Sequence, residues 1–235
     1  MVEDGTLDGL RKGSVDSSQV RLSSSLEVSD IGDSNFDLGF SEDAGDGDDI
    51  TIQMQLDNQA TIAIGTDLQN QEQGEVIDLR SVTTKQTATF TVYREADNDY
   101  EVVFYRIADA DGGIDTNNDG VADVLPGDSG YITAAIENRV DGINLTVANE
   151  NTAEFTGEFE AGSLFAPMVI VDGTIDELLD NDPDNDPVVL FPYTDANPNQ
   201  LDHVRMLGDN IFAFEDLIEN SDNDFNDITV SVKFG

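Results

Sequence analysis

Residues 228–234 read Ile228-Thr229-Val230-Ser231-Val232-Lys233-Phe234. Apolar side chains fall on every second position and polar ones between them, which is the period of a half-buried β-strand. The rhythm recurs upstream. Ile50, Ile52, Met54 and Leu56 alternate with Thr51, Gln53 and Gln55; Ala88, Phe90 and Val92 alternate with threonines; Ile143, Leu145 and Val147 form another set; Phe155, Gly157 and Phe159 complete a fourth. Apolar runs at 101–107, 166–171 and 188–193 suit central strands covered on both faces. Helical spacing is scarce. Residues 131–140, with Tyr131, Ala135 and Ile136, predict one short helix, and Thr174-Ile175-Asp176-Glu177 predicts a capping box opening a single turn at Leu178 and Leu179. Short strands separated by Gly, Asn and Asp turns predict an all-β fold, a jelly-roll-like β-sandwich with one or two short helices.

The 235 residues carry 50 Asp and Glu against 10 Lys and Arg, a formal charge of −40. Charged residues amount to 26% of the chain, an ordinary share, so it is the sign of the charge that is unusual. Such a surface repels phosphate backbones and anionic lipid, which excludes nucleic acid and polybasic membrane docking and points to cations as partners. No run is long enough for a membrane span, so membrane insertion is not expected. Residues 1–20 lack the apolar stretch of a secretory signal, which suggests a trimmed chain or export without that signal. With no Cys, disulfides, thiolate zinc and cysteine nucleophiles are excluded together. The Ser-, Gly- and Asp-rich opening reads as a linker or loosely ordered arm over residues 1–45, followed by the sandwich over 46–235.

The carboxylates gather in loops with Asn and Gly. In Asp115-Thr116-Asn117-Asn118-Asp119-Gly120-Val121-Ala122-Asp123, the side chains of Asp115, Asn117, Asp119 and Asp123 and the carbonyl of Val121 have the spacing of the first nine positions of an EF-hand loop. Pro126 stands where the bidentate Glu would be, so a dockerin-like or thrombospondin-repeat-like loop closed by a more distant acid such as Asp109, Asp111 or Asp128 fits better. A second cluster, Glu215 and Asp216 followed by Asp222, Asp224, Asn226 and Asp227, places hard oxygen ligands around two aromatics just before the last strand. Carboxylates this close repel unless a divalent ion holds them. The third cluster is Asp180, Asp182 and Asp184, with Asp186; Asp43, Asp46 and Asp48, and the turn Glu95-Asp97-Asp99, are weaker ones. Each cluster reads either as a Ca²⁺ site or as a solvated turn rich in side-chain hydrogen bonds.

Nothing marks an enzyme. His203 stands alone, and there is no Gly-x-Ser-x-Gly, His-Glu-x-x-His or phosphate loop.

Two sets of motifs resemble a known family. The upstream set is 92–96, Phe104-Tyr105-Arg106, the Asp115 loop, Leu125-Pro126-Gly127-Asp128 and Gly130-Tyr131. The downstream set is Asp172-Gly173-Thr174, Asp202-His203-Val204-Arg205, Leu207-Gly208-Asp209-Asn210, Phe214-Glu215-Asp216-Leu217 and Asp224-Phe225-Asn226-Asp227. Over about residues 81–235 the chain resembles DUF4114, a bacterial extracellular domain of unknown function. Asn220-Ser221-Asp222 stands where members often carry Gly-Gly-Asp. The resemblance implies a calcium-associated β-sandwich of secreted, adhesin-type surface proteins. Together these readings predict a secreted or cell-surface module of a bacterial surface or matrix protein. Its Ca²⁺ drives folding, its partners are calcium ions and an extracellular glycan or cell surface, and it supports adhesion. The alternatives are a calcium-dependent hydrolase acting on polysaccharide, with sugar held on Tyr93, Tyr105 or Tyr193, and a structural spacer without a ligand.

Overall fold

A computed structural model of the chain describes residues 25–32, 35–41, 50–55, 63–69, 74–96, 98–180, 182, 184–218 and 224–235, the first three stretches as backbone only. Two compact units divide at Thr61/Ile62. In the first, β1 (Ser25–Gly32), β2 (Asn35–Ser41) and β3 (Ile50–Gln55) form an antiparallel sheet in that order, with Val28 opposite Leu38 and Leu38 opposite Ile52. β1 and β2 lie inside the stretch expected to be an arm, and the alternating β3 belongs with them. Gly and Asp dilute the apolar residues of both strands, so composition resembles a linker where backbone pairing makes a sheet. The rest of residues 1–45 lies outside the described residues.

The second unit is a sandwich. β10 (Val204–Gly208), β11 (Ile211–Phe214), β12 (Ile228–Phe234), β5 (Gln86–Arg94) and β7 (Asn151–Phe159) follow one another in a five-stranded antiparallel sheet. Facing it, β8 (Leu164–Val171) pairs with β6 (Tyr100–Ile107) along one edge and with β4 (Ile77–Asp78) and β9 (Val188–Leu190) along the other. Between the sheets lie Phe90, Phe104, Phe159 and Phe212, with Phe104 edge-on to both Phe159 and Phe212. This is where Ala88, Phe90, Val92, Ile228, Val230 and Val232 point, as their alternation requires.

β8 is buried at every position and β6 at all but Arg106. A second apolar layer explains it. The outer face of the smaller sheet carries Val103, Tyr105, Met168 and Ile170, covered by α1 (Tyr131–Glu137) and α2 (Ile175–Leu179) and by the loop through Ile114. Glu177 reaches back to accept the Thr174 N–H at 2.8 Å, the return arm of the expected capping box.

Three elements differ from their sequence reading. Ile143-Leu145-Val147 is no strand: its one bridge joins Leu145 to Val102. Ile143 and Leu145 are nonetheless buried, so the alternation marked a packing face without a ladder. The run 188–193 stops as a strand at Leu190, ahead of Pro192, which has no N–H to donate. The helix at 131–140 ends at Glu137 because Tyr105 and Arg139 form a bridge and the Val140 N–H donates to the Phe104 carbonyl at 2.7 Å. Among the described residues no helix is long and apolar enough to cross a membrane.

Candidate metal centre

The antiparallel register of β11 and β12 assembles the site. Phe214 pairs with Ile228, so the residues just past that rung, Glu215 and Asp216 on one strand and Asp227 on the other, leave the sheet side by side. Glu215, Asp216 and Asp227 can each present a carboxylate oxygen within 4.8 Å of the others, and they form the single acidic group of this kind among the described residues. Glu215 is 2% and Asp216 6% exposed. Phe225, buried and with φ of 54°, holds the approach to Asp227 in a left-handed conformation that a bulky side chain rarely adopts. The Arg205 guanidinium lies 3.7 Å from the Phe225 ring centre and pins it there.

Hydrogen bonds orient two of the three acids. Asp216 Oδ2 accepts from Asn98 Nδ2 at 2.8 Å and from the Tyr100 hydroxyl, both at the entry to β6 in the facing sheet. Asp227 Oδ2 accepts the Asp216 N–H at 2.9 Å, and the Asp227 carbonyl accepts the Glu95 N–H at 2.9 Å. Glu215 is placed through its backbone: its N–H donates to the His203 carbonyl at 3.0 Å, and His203 Nδ1 donates to the Glu215 carbonyl at 2.7 Å. Glu215 Oε2 itself is buried without a hydrogen-bond partner among the described residues. That is costly for a carboxylate oxygen. Burial, together with the Asp216 and Glu215 charges, pushes the Asp227 carboxyl up to about 7 although it accepts the Asp216 N–H. Burial and the bond to Asp216 push the Tyr100 hydroxyl up as well. The arrangement favours a proton or a cation in the middle of the three acids.

Of the expected second cluster the structure therefore brings together Glu215, Asp216 and Asp227. Asp224 is not part of this group; it accepts the Asn226 N–H and side-chain amide at 3.3 and 2.9 Å. Asp222 lies outside the described residues, as do Asp43, Asp46, Asp48 and Asp97. His203, Asn98 and Tyr100 were not expected here. Tyr100 and Asn98 come from more than a hundred residues upstream, a distance no local pattern spans.

The Asp115 loop closes on itself. Asp115 accepts backbone N–H groups from Asn118 at 2.6 Å and Gly120 at 2.7 Å, with longer ones from Asn117 and Asp119. These donors, Gly120 foremost, hold its carboxyl below the usual range. Asp123 accepts from Thr116 and from the Asn117 amide, and Asn117 and Asp119 accept the N–H groups two residues on, from Asp119 and Val121. Backbone bonds between Ile114 and residues Asp123 and Val124 tie the base. Asp115, Asp119 and Asp123 do not converge on a common point as the other group does. In the third cluster, Asp180 accepts from the Asn185 amide and the Asp182 N–H, which lower its carboxyl, and Asp182 accepts the Asp184 N–H at 3.3 Å. Both are runs of side-chain-to-backbone turns.

His203 is 1% exposed; beyond the Glu215 carbonyl its second nitrogen lies 3.0 Å from Asn199 Oδ1, so its ring is a strut. Of the tyrosines considered as sugar platforms, Tyr105 and Tyr193 are buried and Tyr93 is 38% exposed.

No curated protein and no solved structure matches the chain. Glu215, Asp216, Asp227 and His203 all fall in the stretch that a family model does match, whereas the Asp115 loop falls outside it. Residues 159–235 match the model described as Domain of unknown function (DUF4114), a narrower span than the 81–235 suggested by the motifs.

Proposed function

We propose that this chain is a calcium-binding module of a secreted or cell-surface bacterial protein, its sandwich held closed by an ion at Glu215, Asp216 and Asp227, and that it serves adhesion by binding glycan. The observation that carries the calcium reading is Glu215 Oε2, buried and unpartnered beside two further carboxylates. All three donors are hard oxygens with no nitrogen or sulfur among them, the ligand set of Ca²⁺. Water and carbonyl oxygens would complete the six to eight ligands such an ion takes.

The location gives the ion its effect. Glu215, Asp216 and Asp227 would hold it at the ends of β11 and β12, and the Asn98 and Tyr100 donors on Asp216 tie that end to the opposite sheet. A ligand at 100 times its dissociation constant adds about 2.7 kcal/mol to stability, a large share of what a domain has. In the low calcium of a cytosol the −40 chain is then self-repelling and easily kept open for export, and it closes in extracellular calcium. Binding without turnover is preferred to hydrolysis because the one histidine is a buried strut and not a base facing a cavity.

Thermal unfolding in chelator, in CaCl₂, in MgCl₂ and in NaCl of matched ionic strength tests the calcium reading. Calcium is expected to raise the Tm by several degrees beyond the other salts, and Glu215→Gln to remove most of that gain. A calcium titration without heat, in a protein whose Tm ignores chelator, sinks it.

A further inference from the structure

Between residues 62 and 235 there are 36 Asp and Glu but seven Lys and Arg, and four of the seven, Arg80, Lys85, Arg106 and Arg139, line two cavities that share Arg106. The cavities measure about 350 and 420 Å³. Arg106 is the one exposed position on a strand otherwise buried on both faces. Its neighbour Tyr105 bridges to Arg139, and the Arg106 N–H donates to the Asn138 carbonyl at 2.9 Å, so the two arginines sit on paired segments, and both line the larger cavity.

Their partners differ from those of the other cations. Arg80 is held in a two-pronged pair with Asp78, and Lys85 lies at 3.3 and 3.0 Å from Glu158 and Glu160. Arg106 donates to the amide oxygen of Asn118 and Arg139 to the Ile136 carbonyl; neither forms an ion pair among the described residues. With acids in fivefold excess, two arginines that line one cavity without a carboxylate partner are sites left for an anion from outside. A guanidinium fork matches a carboxylate in two parallel hydrogen bonds. Glu137, Asp141, Glu158 and Glu160 line the same cavity as Arg139. They repel a continuous polyanion such as an acidic peptide, and they accept hydrogen bonds from hydroxyl groups. A fitting ligand carries isolated negative charges among many hydroxyls, on rings small enough for cavities of this size.

We propose that this double cavity binds an acidic oligosaccharide, a uronate carboxylate seating on Arg106 and Arg139 and the ring hydroxyls on the surrounding carboxylates. The proposal rests on the glycan-binding half of the function given above and uses none of the three metal-centre acids. It is tested by calorimetry with tetrasaccharides in which uronic acid alternates with neutral sugar, neutral tetrasaccharides of the same linkage, and inorganic polyphosphate. The protein is loaded with calcium and then freed of unbound ion, since free calcium bridges uronates by itself.

Binding of the uronate and not of the neutral sugar is expected. Arg106→Gln/Arg139→Gln should weaken it at least tenfold and each single variant should weaken it as well, whereas Lys233→Gln, which removes one charge outside the cavities as either single variant does within them, should leave it unchanged. Equal binding of the neutral sugar, an unaffected double variant, or polyphosphate binding as tightly as the uronate overturns the proposal. Glu215→Gln run in parallel separates the two readings: uronate binding kept while calcium is lost supports this site by itself, and calcium binding kept while no uronate binds overturns this site alone.

Discussion

At the candidate metal centre the decisive atom count is small: three carboxylates, one shared amide proton from Asp216, and the Asn98 and Tyr100 donors on one of them. Asp227 is the acid whose proton responds. Its folded-state value of about 7 stands above the ordinary 3.8, so between those two pH values the folded chain holds a proton that the unfolded chain has released. Stability in chelator should then fall as pH rises through that window, since the unfolded state binds fewer protons there. Asp227→Asn, which keeps an acceptor for the Asp216 N–H, should lack this component. Denaturant unfolding in EDTA is expected to show the variant gaining on the parent from pH 4 to 8 by on the order of 1 kcal/mol after solvent screening. A difference that stays flat across the window contradicts the assignment. The motif Phe214-Glu215-Asp216-Leu217 was legible as a pair of neighbouring acids beside the last strand, whereas the role of His203 as the strut beneath Glu215 was not, because it depends on a hairpin partner twelve residues away.

Elements explain why some patterns translated into strands and others did not. Alternation in β5 and β12 succeeded because each strand is paired along its length, Val92 facing Val230 and Phe90 facing Val232. The segment through Ile143 has the same rhythm yet serves as a lid, and β7 depends on it. A Cβ at Gly157 would lie 2.5 Å from Ile143 Cγ1 and 3.2 Å from the Phe90 ring. Gly157→Ala, harmless by strand propensity, is therefore expected to destabilise the sandwich by about 1–3 kcal/mol through overpacking. Chemical denaturation measures this; in a double-mutant cycle with Ile143→Ala, which removes the γ carbon the new Cβ would meet, the combined loss should be smaller than the sum of the two, and additive effects would show that the two do not press on each other.

Over the whole molecule, charge and fold meet at one end of the sandwich. The acids of the Asp115 and Asp180 loops are answered by their own backbone N–H groups and amides, while those at the ends of β11 and β12 lie at the rim of the core. Relief of repulsion by ordinary salt and bridging by a divalent ion therefore separate experimentally. In chelator, limited proteolysis is expected to cut the region 215–227 quickly at any NaCl concentration, and calcium to protect it, with Asp115→Asn leaving that protection intact. Protection by NaCl alone would mean that screening is sufficient.

Strand period, the capping box at Thr174, the excess of acid and its grouping into loops were set by local sequence, since each depends on residues a few positions apart. Tertiary structure alone decided which acids meet. Asp216 and Asp227 share one hydrogen bond because the β11–β12 register places them together, and Asn98 and Tyr100 join them because the opposite sheet lies over that end. The Asp115 loop has the more familiar spacing, yet its oxygens turn to its own backbone. Spacing along a chain sets which groups can reach a point; packing between sheets sets which of them are buried and left unpaired there, and it is burial without a partner that makes a carboxylate call for a cation.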